Sequence, residues 1–285
     1  MIKTAIQLKA KIRNLSGGDN DKAKVMIRNF IMERFLERVS LSPYRNNFIL
    51  KGGMLVAAVV GLETRATMDI DTTVKSLKLS AENARSVIEK IILIDVDDGV
   101  TFEIKKVSDI MEGHDYPGIR FMLEAKLDMI RQMIKIDIST GDIITPEAVE
   151  YSYKLMFENR SISLWTYNLE TMLGEKLETI MARENANTRM RDFYDIFILT
   201  EEKDVDYKIL YSAFMATSEK RETINMISRF DSILDSVLRD STMRKMWDMY
   251  RDENYFVGDL SWENVNQRVR MLKNRMFEEN ENIEE

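Results

Sequence analysis

The sequence contains no cysteine, which removes disulfide bonds and zinc–thiolate centres together. It has a single histidine, His114, so no cluster of imidazoles can hold a metal, and a Ser-His-Asp or Cys-His machine would have to use that one residue as its base. His114 lies in Glu112-Gly113-His114-Asp115-Tyr116-Pro117-Gly118, a turn-rich stretch whose chemistry favours a solvated loop histidine over a catalytic one. Only three prolines occur, and no Gly/Ser-rich stretch marks a long linker. No apolar run approaches the roughly 20 residues of a membrane span. The N-terminus lacks the basic start, apolar run and small-residue cleavage site of a signal peptide. These absences lead us to expect a cytoplasmic protein without a membrane partner. A catalytic metal would need oxygen ligands, which favours magnesium or manganese.

The net charge of −7 does not point to nucleic acid as a partner, although Arg183, Arg189 and Arg191, and Lys105-Lys106, form local basic clusters. The 20 methionines read mostly as core filler on helices. Periodicity predicts helices over 4–14, 21–40, 54–61 and 81–94, with Ser80 as N-cap of the last. Strands are predicted at Phe48-Ile49-Leu50 and over 69–75, 101–107, 118–127 and 131–139. In Ile134-Lys135-Ile136-Asp137-Ile138-Ser139 the isoleucines take one face and the polar residues the other. Pro146 is expected to close the sheet region. Beyond about residue 167 the pattern is helical, over 168–184, 190–200, 206–216, 220–238, 240–252 and 261–278. The fold class is therefore α+β, with an α+β domain over residues 1–160 and an all-helical domain over 161–285.

Residues 48–72, FILKGGMLVAAVVGLETRATMDIDT, carry most of the chemistry. Asp69 and Asp71, two apart on a strand, point to one face and repel each other unless a cation lies between them. The Gly52-Gly53 turn before them lets a phosphate approach the backbone. Asp137 lies on the polar face of a later strand. If that strand neighbours 69–75, the three carboxylates converge, and metal could then hold a nucleoside triphosphate there. Asp137 is also a reasonable general base for an attacking hydroxyl. The bland alternative for each aspartate is a solvated strand edge. Thr67 shares a face with Asp69, and its hydroxyl could meet a phosphate oxygen. Arg65 could bind the triphosphate or neutralise the carboxylates, Lys51 could do likewise, and either could be an ordinary surface cation.

Gly-Gly, a spacer, Asp-x-Asp on a strand and a later strand aspartate resemble the nucleotidyltransferase superfamily of DNA polymerase β. The fuller string KGG…RATMDID, with a 15-residue spacer between Gly53 and Asp69, resembles the AbiEii/AbiGii toxin family over about residues 20–240. Two later segments carry the rest of the match. In Asn168-Leu169-Glu170-Thr171-Met172-Leu173-Gly174-Glu175-Lys176-Leu177, Lys176 interrupts an apolar helical stripe, so it must snorkel or meet a buried anion. Arg183 lies on nearly the same face. The family pattern places a functional lysine at Lys176, implying a triphosphate contact. In Thr188-Arg189-Met190-Arg191-Asp192-Phe193-Tyr194-Asp195-Ile196-Phe197, Asp192 suits a first helical turn. Asp195 sits among apolar residues and needs a partner, with a salt bridge to Arg183 or Lys176 and a catalytic role both open. The family motif [Lys/Arg]-Asp-x-x-Asp, matched by Arg191, Asp192 and Asp195, implies that Asp195 matters for activity.

The resemblance implies a nucleotidyltransferase-like mixed sheet with flanking helices. It also implies a magnesium- or manganese-dependent enzyme that uses an NTP and acts as the toxin of a type IV toxin–antitoxin or phage-defence (abortive infection) pair. The implied acceptor is an RNA, a tRNA 3′ end first. The implied partner is a cognate antitoxin that need not bind the toxin directly. Two other readings stay open: transfer to a protein hydroxyl, which the acidic balance suits, and a non-catalytic nucleotide-binding module.

Overall fold

A computed structural model describes residues 1–77, 80–110 and 118–281. His114 lies outside them. The chain forms two units. The first comprises Met1–Ala58, Ala66–Asp142 and Val149–Thr166, and the second comprises Val59–Arg65, Ile143–Ala148 and Tyr167–Glu285.

The first unit begins with α1 (Ala5–Ser16) and α2 (Asn20–Leu41). Asp19 caps α2 by accepting from the backbone N–H groups of Asp21 and Lys22. Then come β1 (Phe48–Lys51), α3 (Gly52–Val60), β2 (Asp69–Val74) and α4 (Ala81–Ile92), with Ser80 capping α4 as expected. The strands β3 (Thr101–Ile110), β4 (Gly118–Leu127), β5 (Ile130–Thr140), β6 (Val149–Lys154) and β7 (Ser161–Thr166) complete one seven-stranded sheet, in the order β3-β4-β5-β2-β1-β7-β6. The pairs β2–β5 and β1–β7 are parallel and the others antiparallel, so the sheet is mixed. Ile70, Phe121, Leu123, Ile134, Ile136 and Ile138 are buried on its inner face. Helix α2 packs against β5 and β7, and α4 against β3.

Two differences from the sequence reading stand out. Pro146 does not close the sheet, because β6 and β7 follow it. β6 is an edge strand with most side chains exposed, so it lacks the apolar alternation that marks a strand. Gly52-Gly53 is not a separate turn but opens α3 directly.

In the second unit, α5 (Leu169–Arg183), α6 (Met190–Glu202), α7 (Tyr207–Lys220), α8 (Phe230–Arg239), α9 (Ser241–Glu253) and α10 (Trp262–Glu281) follow one another. The expected helix over 220–238 is divided, because a 3₁₀ segment, Ile224–Arg229, precedes α8. Asn168 caps α5, accepting from the Thr171 N–H at 2.7 Å. A Cβ at Gly174 would lie 3.0 Å from the Phe214 backbone nitrogen, so glycine there lets α5 and α7 approach closely. Phe193, Phe214, Trp247 and Trp262 are buried in the core of this unit. The α+β class with a helical C-terminal region is thus the observed architecture. Among the described residues, no helix is long and apolar enough to cross a membrane.

Candidate active site

On β2 the alternation turns Ile70 into the core and leaves Asp69 and Asp71 half-buried on the opposite face. Strand pairing then supplies their neighbours. The β2–β5 register places Asp137 beside Asp71 and Lys135 beside Asp69. The β1–β2 register places Lys51 beside Asp71, and β4–β5 places Arg120 beside Asp137. One rung across four strands therefore reads Arg120, Asp137, Asp71, Lys51. One carboxylate oxygen from each of Asp69, Asp71 and Asp137 lies within 4.8 Å of the others.

Protein cations offset the repulsion among these carboxylates. Arg120 donates to both oxygens of Asp137, Nε to Oδ1 and Nη2 to Oδ2, each at 2.8 Å. Its hydrogen bond to Asp137 holds the guanidinium pKa above its ordinary value, and the charges of Asp137, Asp69 and Asp71 add to the effect. The Lys135 ammonium pairs with Asp69 and lies 3.9 Å from Asp137 Oδ2. Burial lowers the pKa of Arg28 on α2, and the charge of Asp69 opposes that shift.

The donor set of the triad is entirely carboxylate oxygen, which suits a hard divalent cation such as magnesium or manganese. Gly52 stands against it. Its φ is +66°, and a Cβ there would lie 2.8 Å from Asp71 Cβ and Cγ. Gly53 follows in the first turn of α3. Lys51 pairs with the buried carboxylate of Asp142, which also accepts from Ser139 Oγ at 2.9 Å. Thr67 is buried, and its hydroxyl donates to the Asp69 carbonyl at 3.3 Å.

The remaining expected residues lie in the second unit. Asp192 and Asp195, three apart on α6, share a face that meets α5. Lys176 Nζ donates to Asp192 Oδ1 at 2.9 Å and to Asp195 Oδ2 at 2.7 Å. Arg65 Nε donates to Asp195 Oδ1 at 2.6 Å, and Arg189 Nε lies 2.7 Å from Asp192 Oδ2. Both aspartates are fully buried, which alone would raise their pKa values. Lys176, then Arg189, hold Asp192 well below the carboxylate range, and Arg65, then Lys176, hold Asp195 below it. The Tyr194 hydroxyl donates to the Thr64 carbonyl at 2.7 Å, which fixes the segment that carries Arg65. Lys176, Arg65 and Arg189 thus all engage this pair of buried carboxylates. Arg183 is half-buried in the last turn of α5.

The expected residues thus form two sets. Asp69, Asp71, Asp137, Lys51, Gly52, Gly53 and Thr67 belong to the first unit, and Arg65, Lys176, Arg183 and Asp195 to the second. The sequence reading missed Arg120, Arg28 and Asp142 and gave Asp192 only a helix-end role. The Lys135–Asp69 pair follows from the parallel β2–β5 register, for which local sequence carries no signal, whereas Arg120 could have been found from the short β4–β5 turn, which fixes the hairpin register.

Residues 34–268 match the family described as Nucleotidyl transferase AbiEii toxin, Type IV TA system. Among solved structures, JHP933 from Helicobacter pylori is similar at 14% identity and a TM-score of 0.48, covering 91% of this chain and 96% of that one. An antigenic nucleotidyltransferase-like protein from Paracoccidioides brasiliensis is similar at 16% identity and a TM-score of 0.43, covering 73% and 93%. No curated protein matches the chain.

Proposed function

The chain belongs to the AbiEii family of nucleotidyltransferase toxins of type IV toxin–antitoxin systems, and we propose that it transfers a nucleoside monophosphate from an NTP to an RNA, with a tRNA 3′ end as acceptor. The observation that supports this reading most is the convergence of Asp69, Asp71 and Asp137 beside Gly52. The three carboxylates would hold magnesium or manganese, which when bound supplies charge neutralisation and orientation of the phosphate oxygens.

In this reading the acceptor hydroxyl attacks the α-phosphorus, pyrophosphate leaves, and Asp137 takes the hydroxyl proton. Arg120, bidentate on Asp137, fixes the direction of that carboxylate. Gly52 leaves the backbone bare where a side chain would displace Asp71. In the first unit, Lys51 is a further cation for the phosphates; for Lys176 and Arg183 of the second unit, the family pattern supports a phosphate contact. Asp195 then positions Lys176 and Arg65 rather than touching substrate. The partner expected for a type IV toxin is a cognate antitoxin encoded alongside it.

The net charge of −7 favours a second acceptor class, a protein hydroxyl, because RNA is better served by a basic groove. Incubation with each α-labelled NTP, cellular RNA and cellular protein, followed by separation, decides between the two. The expected label is on RNA, and label on protein alone overturns the RNA acceptor.

A further inference from the structure

Arg120 and Lys135 both engage carboxylates of the triad, and their attachments differ. Arg120 engages both oxygens of Asp137 through a planar fork whose geometry it cannot change without losing both hydrogen bonds. Lys135 is a compact charge on a flexible stem, and it bridges two of the three carboxylates: paired with Asp69 and 3.9 Å from Asp137. Its backbone is fixed between the buried Ile134 and Ile136, so only the side chain is free to move. That side chain is 30% exposed, against 13% for Asp69 and 16% for Asp137, so it has a route to solvent that the carboxylates lack.

We propose that Lys135 is a displaceable counter-cation of the triad: a divalent ion takes its place on Asp69, and the released ammonium group binds the phosphates of the incoming nucleotide. The inference rests on the metal–nucleotide reading of the triad. A divalent ion and an ammonium group on the Asp69 carboxylate repel each other, so metal on Asp69 weakens the hold of Lys135 there. In the absence of metal, Lys135 offsets the repulsion between Asp69 and Asp137. Once displaced, it can pair with an anion, and the nucleotide phosphates supply one. Metal and nucleotide therefore each strengthen binding of the other by the same factor.

The test is a manganese titration of the full-length protein, with free Mn²⁺ read by electron paramagnetic resonance. Wild type, Lys135→Met, Lys135→Gln and Asp69→Asn/Asp71→Asn are compared, and circular dichroism confirms that each is folded. A neighbouring cation typically shifts a carboxylate's affinity for a competing cation, the proton, by about one to three decades. Both position-135 variants should therefore bind manganese alone at least about tenfold more tightly. At saturating manganese, they should bind the α,β-methylene analogues of the NTPs about tenfold more weakly, the loss expected for one charged hydrogen bond.

A lysine that only props the carboxylates together gives the opposite sign, weaker manganese binding, and that result overturns the proposal. Unchanged manganese binding in both variants overturns it too. If wild type binds manganese, the aspartate double variant does not, and position 135 has no effect, displacement fails while the metal site stands. If wild type binds no more manganese than the double variant, the metal reading fails and the displacement fails with it.

Discussion

Replacing Gly52 with alanine tests the site through its backbone. Gly52 has φ +66°, a left-handed conformation that costs a residue bearing a Cβ about 1–2 kcal/mol. The added methyl would also fall on the Asp71 carboxylate, with Asp71 Cβ and Cγ only 2.8 Å away. The far end of a flexible chain could yield, but the whole Asp71 side chain stands in the way, so Asp71 must turn out of the triad. Gly17, the C-cap of α1, is the control. Its φ is +60°, and a Cβ there meets nothing within 4 Å. Gly17→Ala thus carries the backbone strain without the collision. Gly17→Ala should lose about 1–2 kcal/mol in urea denaturation, and Gly52→Ala at least as much. Only Gly52→Ala should lose nucleotide transfer, by about a hundredfold, as expected for a reacting group misplaced by about 1 Å, and it should also bind manganese more weakly. The reasoning is refuted if Gly52→Ala transfers nucleotide within about threefold of Gly17→Ala, a gap of less than about 0.7 kcal/mol.

Asp195→Asn leaves the buried Arg65 guanidinium without its carboxylate, so urea denaturation should show a loss of about 3–5 kcal/mol; a loss below about 1 kcal/mol would refute the buried pairing. Asp69→Asn/Asp71→Asn should abolish transfer and manganese binding while leaving the melting temperature equal or higher, because it relieves like-charge repulsion; retained toxicity in cells would refute metal-dependent transfer. Burial raises the Glu33 carboxyl from 4.5 to about 7, against hydrogen bonds from Met156 and Asn29. Because the folded value is the higher one, the neutral group favours the fold below about pH 4.5, and this advantage is lost as pH rises through about 7, by roughly 3 kcal/mol in all. Glu33→Gln should therefore gain stability relative to wild type between pH 5 and pH 8, and a constant difference across that range would refute the shift.

The parts of the fold with strong local patterns were legible. The alternation over residues 134–139 marked β5 and put Asp137 on its polar face, and Ser80 announced α4. β6 was not legible, because an exposed edge strand does not need apolar alternation; β7, paired on both sides, does alternate over Ser161–Thr166 and was simply missed. At the site, the acidic pair and the glycines were legible because strand period and turn chemistry are local. Arg120 reaches Asp137 through the β4–β5 hairpin register, which the two-residue connection between Leu127 and Ile130 fixes, so counting back from that turn would have found it. Lys176 was legible as a misfit in an apolar stripe. Its partnership with both Asp192 and Asp195 required the packing of α5 on α6.

The 15 residues between Gly53 and Asp69 include Val59–Arg65, which belong to the second unit, so this spacer is a detour through the helical part of the molecule. It also sets an order in time. Arg65 leaves the ribosome 130 residues ahead of Asp195, the carboxylate that holds it, an interval of roughly 6–26 s at ordinary translation speeds. A chain terminated before α6 would carry the entire Gly-Gly and Asp-x-Asp motif and still lack the Asp195 carboxylate that pairs with Arg65. Formation of this ion pair thus waits until α6 has been translated, and a product aborted before it carries the motif without the finished cluster.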